Sequence, residues 1–284
     1  VWVFLLLGLA ASVLLAAGLL IMKSRAAALP PAEGVAIPGA VLRWFVDLKW
    51  LGGLAVETSG YALYIFALSA APVSLIAVMM QGGTALFVLF AVIFLHERAA
   101  PGEWIGIGGI IAAMLLLAFS LQGGGTSGGG LHPYALALLA LAALFAAMAP
   151  ALSSRMRATG VAPAIASGIA FGLGSLFAKA LTDNFIANPH SALAIRIFAD
   201  PWIYPAIVAN IAGLVMLQNS FHWARGLVVM PLSSACSNIV PIIGGIAVFG
   251  ESLPPDPFGA GMRIGAFALT ILAGAVLSIT CKGG

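Results

Sequence analysis

Nine apolar stretches, each about the length of a bilayer-spanning helix, follow one another along this chain with short polar breaks between them. They fall at approximately 1–22, 50–69, 73–95, 104–121, 132–152, 161–182, 202–223, 227–250 and 261–281. About 20 mostly apolar residues are needed to cross the hydrocarbon core as a helix. The pattern therefore predicts an all-α integral membrane protein with about nine transmembrane helices. The first stretch is too long for a signal peptide and lacks a basic start and a small-residue cleavage site, so it is read as a span.

The pattern also repeats. Leu42-Arg43-Trp44-Phe45-Val46-Asp47-Leu48-Lys49-Trp50 returns as Ile195-Arg196-Ile197-Phe198-Ala199-Asp200-Pro201-Trp202. Each copy leads into apolar stretches, then a glutamate (Glu97, Glu251), then an Ile-Gly pair (Ile105-Gly106, Ile264-Gly265). A duplicated array of hydrophobic segments is the sequence mark of a secondary transporter built from structural repeats. Spans 1–4 (residues 1–121) form one four-helix unit and spans 6–9 (161–284) the other. Residues 122–160 hold a Gly-rich connector, Gly123 to Gly130, and a lone linking helix. A four-helix unit starts and ends on one side of the membrane, so a single extra crossing turns the second unit upside down. The expected architecture is two inverted repeats.

Composition agrees with a bilayer. The chain is 62% hydrophobic and 7% charged, with mean hydropathy +1.12, whereas soluble domains carry about 25% charged residues. Its 34 glycines and 16 prolines suit close helix packing and cavity-lining breaks in a membrane. Cys236 and Cys281 sit in apolar stretches and suggest neither a disulfide framework nor a metal site. No phosphate loop, His-Glu-x-x-His or Gly-x-Ser-x-Gly is present, so no catalytic residue and no cofactor is expected. Nothing resembles a basic nucleic-acid surface.

The net charge of +3 is less informative than its distribution. With nine crossings, Lys23, Arg25, Arg43, Lys49, Arg98, Arg155, Arg157, Arg225 and Lys282 share one side, and Arg196 and Arg263 the other. The positive-inside rule then places the C-terminus in the cytoplasm and the N-terminus outside, in a plasma membrane of the prokaryotic inner-membrane kind. Segments 28–47 and 185–200 occupy the same place in each unit. Within them, Ala40–Trp50 and Ala192–Trp202 read either as short interfacial helices or as plain loops.

Charge inside a span is costly and marks a functional candidate. Glu57 is the acidic residue set well inside one, about 10 Å deep at 1.5 Å per residue. Glu57, Tyr61 and Tyr64 share a helix face at i, i+4, i+7. Gln218, His222 and Arg225 form a similar stripe in span 7, and the two stripes are expected to face each other across a cavity or to lock two helices together. Gln81 and Asn238 hold similar places in spans 3 and 8. In the register set by Arg43 and Arg196, Asn210 matches Glu57. These amides suit a midplane substrate site or interhelical bonding. Gly82-Gly83 and Gly244-Gly245 allow close helix approach, and Pro231 and Pro241 either break or kink span 8. Lys179 is expected to snorkel to the headgroups. Glu97 and Glu251 read as surface anchors at helix ends, and His96, His132 and His190 as loop residues.

Several of these residues fit a known pattern. Ala67-Leu68, Glu97 and Ile105-Gly106 together resemble one repeat of the EamA-type drug/metabolite transporters, and Gly172 to Lys179 resembles that family's opening helix. The nine-span layout resembles the NIPA-type magnesium-transporter branch of the same superfamily. So does Glu57 with Tyr61, Tyr64, Phe66 and Ala67, which follows the branch pattern Glu-x-x-Asn-aromatic-x-x-Tyr-x-Phe-Ala, with Gly60 at the Asn position. Gln218-Asn219 before His222-Trp223-Ala224 resembles its seventh helix. The resemblance implies a transporter and suggests magnesium as cargo. Physical chemistry keeps a small metabolite open, because Mg²⁺ favours carboxylates and retained waters and the chain offers one deep carboxylate. The expected substrate-binding set is Glu57, Tyr61, Tyr64, Gln81, Asn210, Gln218, His222 and Asn238, with no metal-ligand set assigned. Lipid and a small-molecule or ion substrate are the expected partners, a second copy or a membrane complex staying open. The alternative is a non-transporting integral membrane subunit of a larger complex.

Overall fold

A computed structural model describes residues 2–26, 28–30, 37–69, 73–94, 101–120, 130–148, 160–187 and 199–280. Among them the secondary structure is helical throughout: α1 (Trp2–Ala26), α2 (Ile37–Trp44), α3 (Leu48–Leu68), α4 (Val73–Phe94), α5 (Pro101–Ser120), α6 (Pro133–Met148), α7 (Val161–Ala187), α8 (Ile203–Trp223), α9 (Gly226–Ala247) and α10 (Pro257–Thr280). Each of the nine apolar stretches overlaps one of these helices. Five helical segments are long and apolar enough to cross a membrane: Leu6–Ala26, Leu48–Leu68, Val161–Asn184, Ile203–Trp223 and Gly226–Ala247. Shorter apolar helical stretches lie in α4, α5, α6 and α10. The molecule is an all-α, multi-pass membrane protein. Its outer surface agrees: Leu138, Leu144, Phe145 and Met148 on α6 are all exposed, an apolar face that hydrocarbon covers at no cost.

Helices outrun the apolar stretches at several ends, which carries Lys23, Arg25 and Asp183 into helical turns. The boundary at α3 has a clear chemical cause. Asp47 is its N-cap, and the carboxylate accepts the Trp50 amide at 2.8 Å, satisfying a donor that a helix start leaves open. The same carboxylate takes a two-nitrogen contact from Arg25 at the end of α1, at 2.6 and 3.0 Å. This cap starts α3 at Leu48 and confines the short helix before it to Ile37–Trp44, earlier than the expected Ala40–Trp50 segment. Trp44 anchors it by donating its indole N–H to the Pro30 carbonyl.

The Arg25 hydrogen bond, with the Trp50 amide, holds the Asp47 carboxyl below the usual carboxylate range. A depressed folded-state pKa gives stability that is complete above the ordinary value of about 3.9 and disappears as the pH falls through the lowered value. Asp47→Asn is therefore expected to lower the thermal midpoint in detergent at pH 7, and to match the parent once the pH is low enough to protonate Asp47. A gap that persists unchanged through acid would show that Asp47 acts by shape alone.

The second motif copy uses its aspartate differently, in the turn before α8, whose N-cap is Trp202 with no side-chain cap bond. Asp200 accepts the Trp202 amide at 2.8 Å and receives Asn184 from the end of α7 at 3.3 Å. Residues 192–198, the rest of the second interfacial candidate, lie outside the described residues, as do Gly123–Gly129, His96, Glu97, Arg98, Arg155, Arg157, His190, Arg196, Cys281 and Lys282.

Helix packing follows one scheme in both halves. α1 packs on α3 and α4, and α7 packs on α8 and α9. Across the molecule α5 packs on α10 and α4 on α9, while α6 rests mainly on α7. The direction of each helix follows from its end contacts. The end of α1 meets the start of α3 through Arg25–Asp47 and the end of α8 through Lys23. The start of α7 also lies there, since Ser220 of α8 donates to the Gly160 carbonyl at 2.7 Å. So α1 ends where α7 begins, and the two run in opposite directions. Lys23, Arg25, Arg43, Lys49 and Arg225 gather at this end.

Contacts between backbones are close because glycines line the crossings. A Cβ on Gly18 would lie 2.6 Å from the Glu57 amide nitrogen and the Gly53 carbonyl oxygen. On Gly60 it would lie 2.9 Å from the Leu15 nitrogen. Gly83 and Gly244 are likewise filled, by Ser12 and Leu176 respectively. α9 passes through Pro231 and Pro241 without a break.

Two expectations for charged residues need correction. Glu251 is no surface anchor: it is 9% exposed, in the turn after α9, its carboxylate against Gly245 and in electrostatic reach of Arg263. Lys179 does not snorkel outward. It donates to the Leu68 carbonyl of α3 at 3.2 Å and pairs with Asp183 at 2.9 Å. In each case the neighbour comes from a distant part of the fold or from a turn that apolar patterning does not describe.

Candidate functional site

A cavity of about 140 Å³ lies at the centre of the bundle, between the helices of the two halves. Helices α1, α3 and α4 wall it from one side and α7, α8 and α9 from the other. Its polar lining comprises Glu57, Tyr61 and Tyr64 from α3, Ser12 from α1, Ser175 from α7, Asn210 from α8, and Ser233, Ser234, Ser237 and Asn238 from α9. Leu15, Ala16, Leu19, Phe171, Met230 and Pro241 complete it.

Glu57 stands nine residues beyond the first residue of α3, about 13 Å along the axis, which is near the helix midpoint. That is deeper than the sequence suggests, because the Asp47 cap moves the helix start outward. The Gly18 close approach fixes its backbone. Among the described residues, no hydrogen bond or ion pair to its carboxyl group is found. One turn on, the Tyr61 hydroxyl accepts a hydrogen bond from Asn210 Nδ2 at 2.8 Å. The second Nδ2 hydrogen goes to the Ala206 carbonyl, also at 2.8 Å, so Asn210 is held in place. Tyr64, 4% exposed, stacks on Tyr61 with centroids 5.7 Å apart. The α3 stripe is thus tied to α8 by the Tyr61–Asn210 pair, and Glu57 lines the cavity.

Across from it, α9 presents serines. Asn238 Nδ2 donates to the Ser234 carbonyl at 2.6 Å, Ser237 to the same carbonyl at 2.9 Å, and the Ser233 and Ser167 hydroxyls meet at 3.0 Å. The Ser233–Ser167 bond fixes the helix against α7, the other two lie within α9, and hydroxyl oxygens line the void. The lining offers one carboxylate and a ring of neutral oxygen donors, which can receive a cation that keeps part of its water shell. Among the described residues no three His, Cys, Asp or Glu side chains converge on a point, so a cage of several charged ligands is not built there.

Five of the eight sequence candidates, Glu57, Tyr61, Tyr64, Asn210 and Asn238, line this one cavity. Gln218 and His222 do not. Gln218 is buried against Met22 of α1, with Nε2 3.7 Å from the sulfur. The His222 ring nitrogen Nδ1 lies 3.4 Å from the Ala26 carbonyl. The partner of the Glu57 stripe across the cavity is therefore Asn210, and the Gln218–His222 stripe seats the end of α1. The Gln81 side chain lies outside the described residues. Reading by charge and amide missed Ser12, Ser175, Ser233, Ser234 and Ser237. The α9 serines at i, i+1 and i+4 were a usable signal, being a polar stripe in an otherwise apolar helix.

A protein from Arabidopsis thaliana described as "Probable magnesium transporter NIPA9" is 26% identical over 278 residues, covering 93% of this chain and 78% of that protein. No family model matches the sequence. No solved structure matches it either.

Two constant offsets relate the halves around the cavity. One carries Asp47, Glu57 and Gly60 of the first half onto Asp200, Asn210 and Gly213 of the second. The other carries Ser12, Leu15 and Gly18 onto Gly168, Phe171 and Gly174. Contacts correspond as well as letters do. Gly60 meets Leu15, and Gly213 meets Phe171. Gly18 meets Glu57, and Gly174 meets Asn210.

Proposed function

We propose that this chain is a secondary membrane transporter that works by alternating access between two inverted four-helix units, 1–121 and 161–284, joined by the connector and crossing helix of 122–160. The single observation that carries the reading is the central cavity, walled by helices of both halves and holding one deep carboxylate among neutral oxygens. The opposite directions of α1 and α7 and the two constant offsets support the inverted arrangement. A site at the interface of such units, near the midplane, is where carriers of this kind bind cargo.

The cargo is a small cation. Glu57 supplies the charge, and Asn210, Asn238, the tyrosine hydroxyls and the serines supply neutral contacts. The similarity to a probable magnesium transporter favours Mg²⁺, which would enter hydrated, because a single carboxylate cannot replace its waters. The cavity has room for several waters, each needing roughly 10–15 Å³ measured in this way. A small organic amine is the competing cargo. The basic end bearing Lys23, Arg25, Arg43, Lys49 and Arg225 faces the cytoplasm on this reading.

The test is uptake into proteoliposomes of purified protein, with Mg²⁺ and a panel of small primary amines. Saturable Mg²⁺ uptake blocked by excess unlabelled Mg²⁺ is the expected result. Uptake of an amine alone would move the cargo to the organic class, and no uptake of any cation would overturn the carrier reading.

A further inference from the structure

Lys23 and Lys179 occupy corresponding places and make corresponding contacts. Lys23 Nζ donates to the Phe221 and Ala224 carbonyls, both at 2.9 Å, and sits 5.4 Å over the Phe221 ring. Lys179 Nζ donates to the Leu68 carbonyl at 3.2 Å. The offset that carries Gly18 onto Gly174 carries Lys23 onto Lys179. The offset that carries Glu57 onto Asn210 carries Leu68 onto Phe221. Each lysine therefore reaches from the first helix of its own half to the C-terminal turn of the second long helix of the other half.

The chemistry of the acceptor explains the fit. The last carbonyls of a helix lack intrahelical partners and carry the negative end of its dipole, so an ammonium group satisfies both. These lysines are not surface decoration: the Lys179 side chain is 14% exposed. The two contacts lie at opposite ends of the bundle, since Gly160 and Lys179 of α7 are separated by roughly 30 Å of helix, the thickness of a bilayer core. The cavity lies between them, and its six walling helices include the four that the lysines join: α1 and α8 at one end, α7 and α3 at the other.

We propose that Lys23 and Lys179 are the paired gate residues of the transport cycle, each holding its own end of the central cavity shut. The inference rests on the carrier reading. Both contacts are formed here, so this conformation has its halves joined by a lysine at each end. Opening to one side separates the halves at that side, which breaks one lysine contact and keeps the other. The pair gives alternating access a built-in exclusion.

Accessibility of the cavity from each face tests this. A Ser234→Cys reporter is introduced with Cys236 and Cys281 replaced by alanine, and labelled with a membrane-impermeant thiol reagent in right-side-out and inverted vesicles. Lys23→Met is expected to shift the ratio of labelling rates roughly tenfold toward the Lys23 end, the population change worth one hydrogen bond to a charged group. Lys179→Met shifts it by a similar factor the other way, and Lys23→Arg and Lys179→Arg keep the parent ratio. A bifunctional thiol cross-link between Lys23→Cys and Ala224→Cys, which needs no weakened protein, stops labelling from the Lys23 end alone. Unchanged ratios, both methionine variants opening the same face, or a cross-link that leaves both faces equally reactive would overturn the gates. Cation flux in the same vesicles separates the two ideas. Flux without any shift in labelling sinks the gates and leaves the carrier. Shifted labelling without flux sinks the carrier and leaves two lysines that close a cavity.

Discussion

Glu57→Gln reduces cation uptake by roughly two orders of magnitude, the scale expected when one partner of a desolvated charge pair is neutralised, about 3 kcal/mol. The substitution is nearly isosteric, so the α1–α3 contact at Gly18 and the Tyr61–Asn210 bond are kept, and the purified protein stays monodisperse with an unchanged thermal midpoint. The deficit appears as lost uptake at low cargo concentration and is partly recovered at high concentration. Uptake that matches the parent at every concentration would remove Glu57 from cargo recognition and leave the neutral oxygens as the binding group.

Gly168→Ala should be the most damaging single methyl among the described glycines. A Cβ there would overlap the Ser233 carbonyl oxygen and crowd the Cys236 Cβ at 2.7 Å. The obstacle is helix backbone, which cannot rotate away as a side chain can, so α7 and α9 must separate along the cavity wall. Overpacking of this kind costs about 3 kcal/mol, enough to lower the thermal midpoint sharply and reduce the yield of folded protein. Gly261→Ala is the control, because a methyl there meets nothing within 4 Å and only gains helix propensity. Equal stability in the two variants would mean that α7 and α9 are not in backbone contact.

Much of this arrangement was readable from residues alone. The nine apolar stretches each mark a helix because hydrocarbon leaves a spanning backbone few other ways to pair its polar groups. Glu57, Tyr61 and Tyr64 share a face by helical spacing, and Asn210 follows from the repeated Arg–Phe–Asp motif. The misplaced residues share a cause. Gln218 lies eight residues after Asn210, more than two turns further along α8, and its face is spent on Met22 of α1. Its depth suggested the cavity, but only the angle at which α1 packs on α8 decides where it points. Lys179 and Glu251 were misread because their partners, the Leu68 carbonyl and Arg263, come from other helices. Serines escaped notice because a lone hydroxyl in a span also satisfies itself on its own helix, as Ser175 does on Phe171.

The glycine seam between α1 and α3 has a mechanical consequence. With Gly18, Gly53 and Gly60 bringing main chain close to main chain, and Met22 and Ile21 filling the space at Gly53, little free room is left between the two rods along that seam. They behave as a single stiff strut, and bending one means bending both. Any large motion of this molecule therefore has to be accommodated at looser joints elsewhere, so fluorescent probes on α1 and α3 will keep their spacing while the rest of the bundle rearranges.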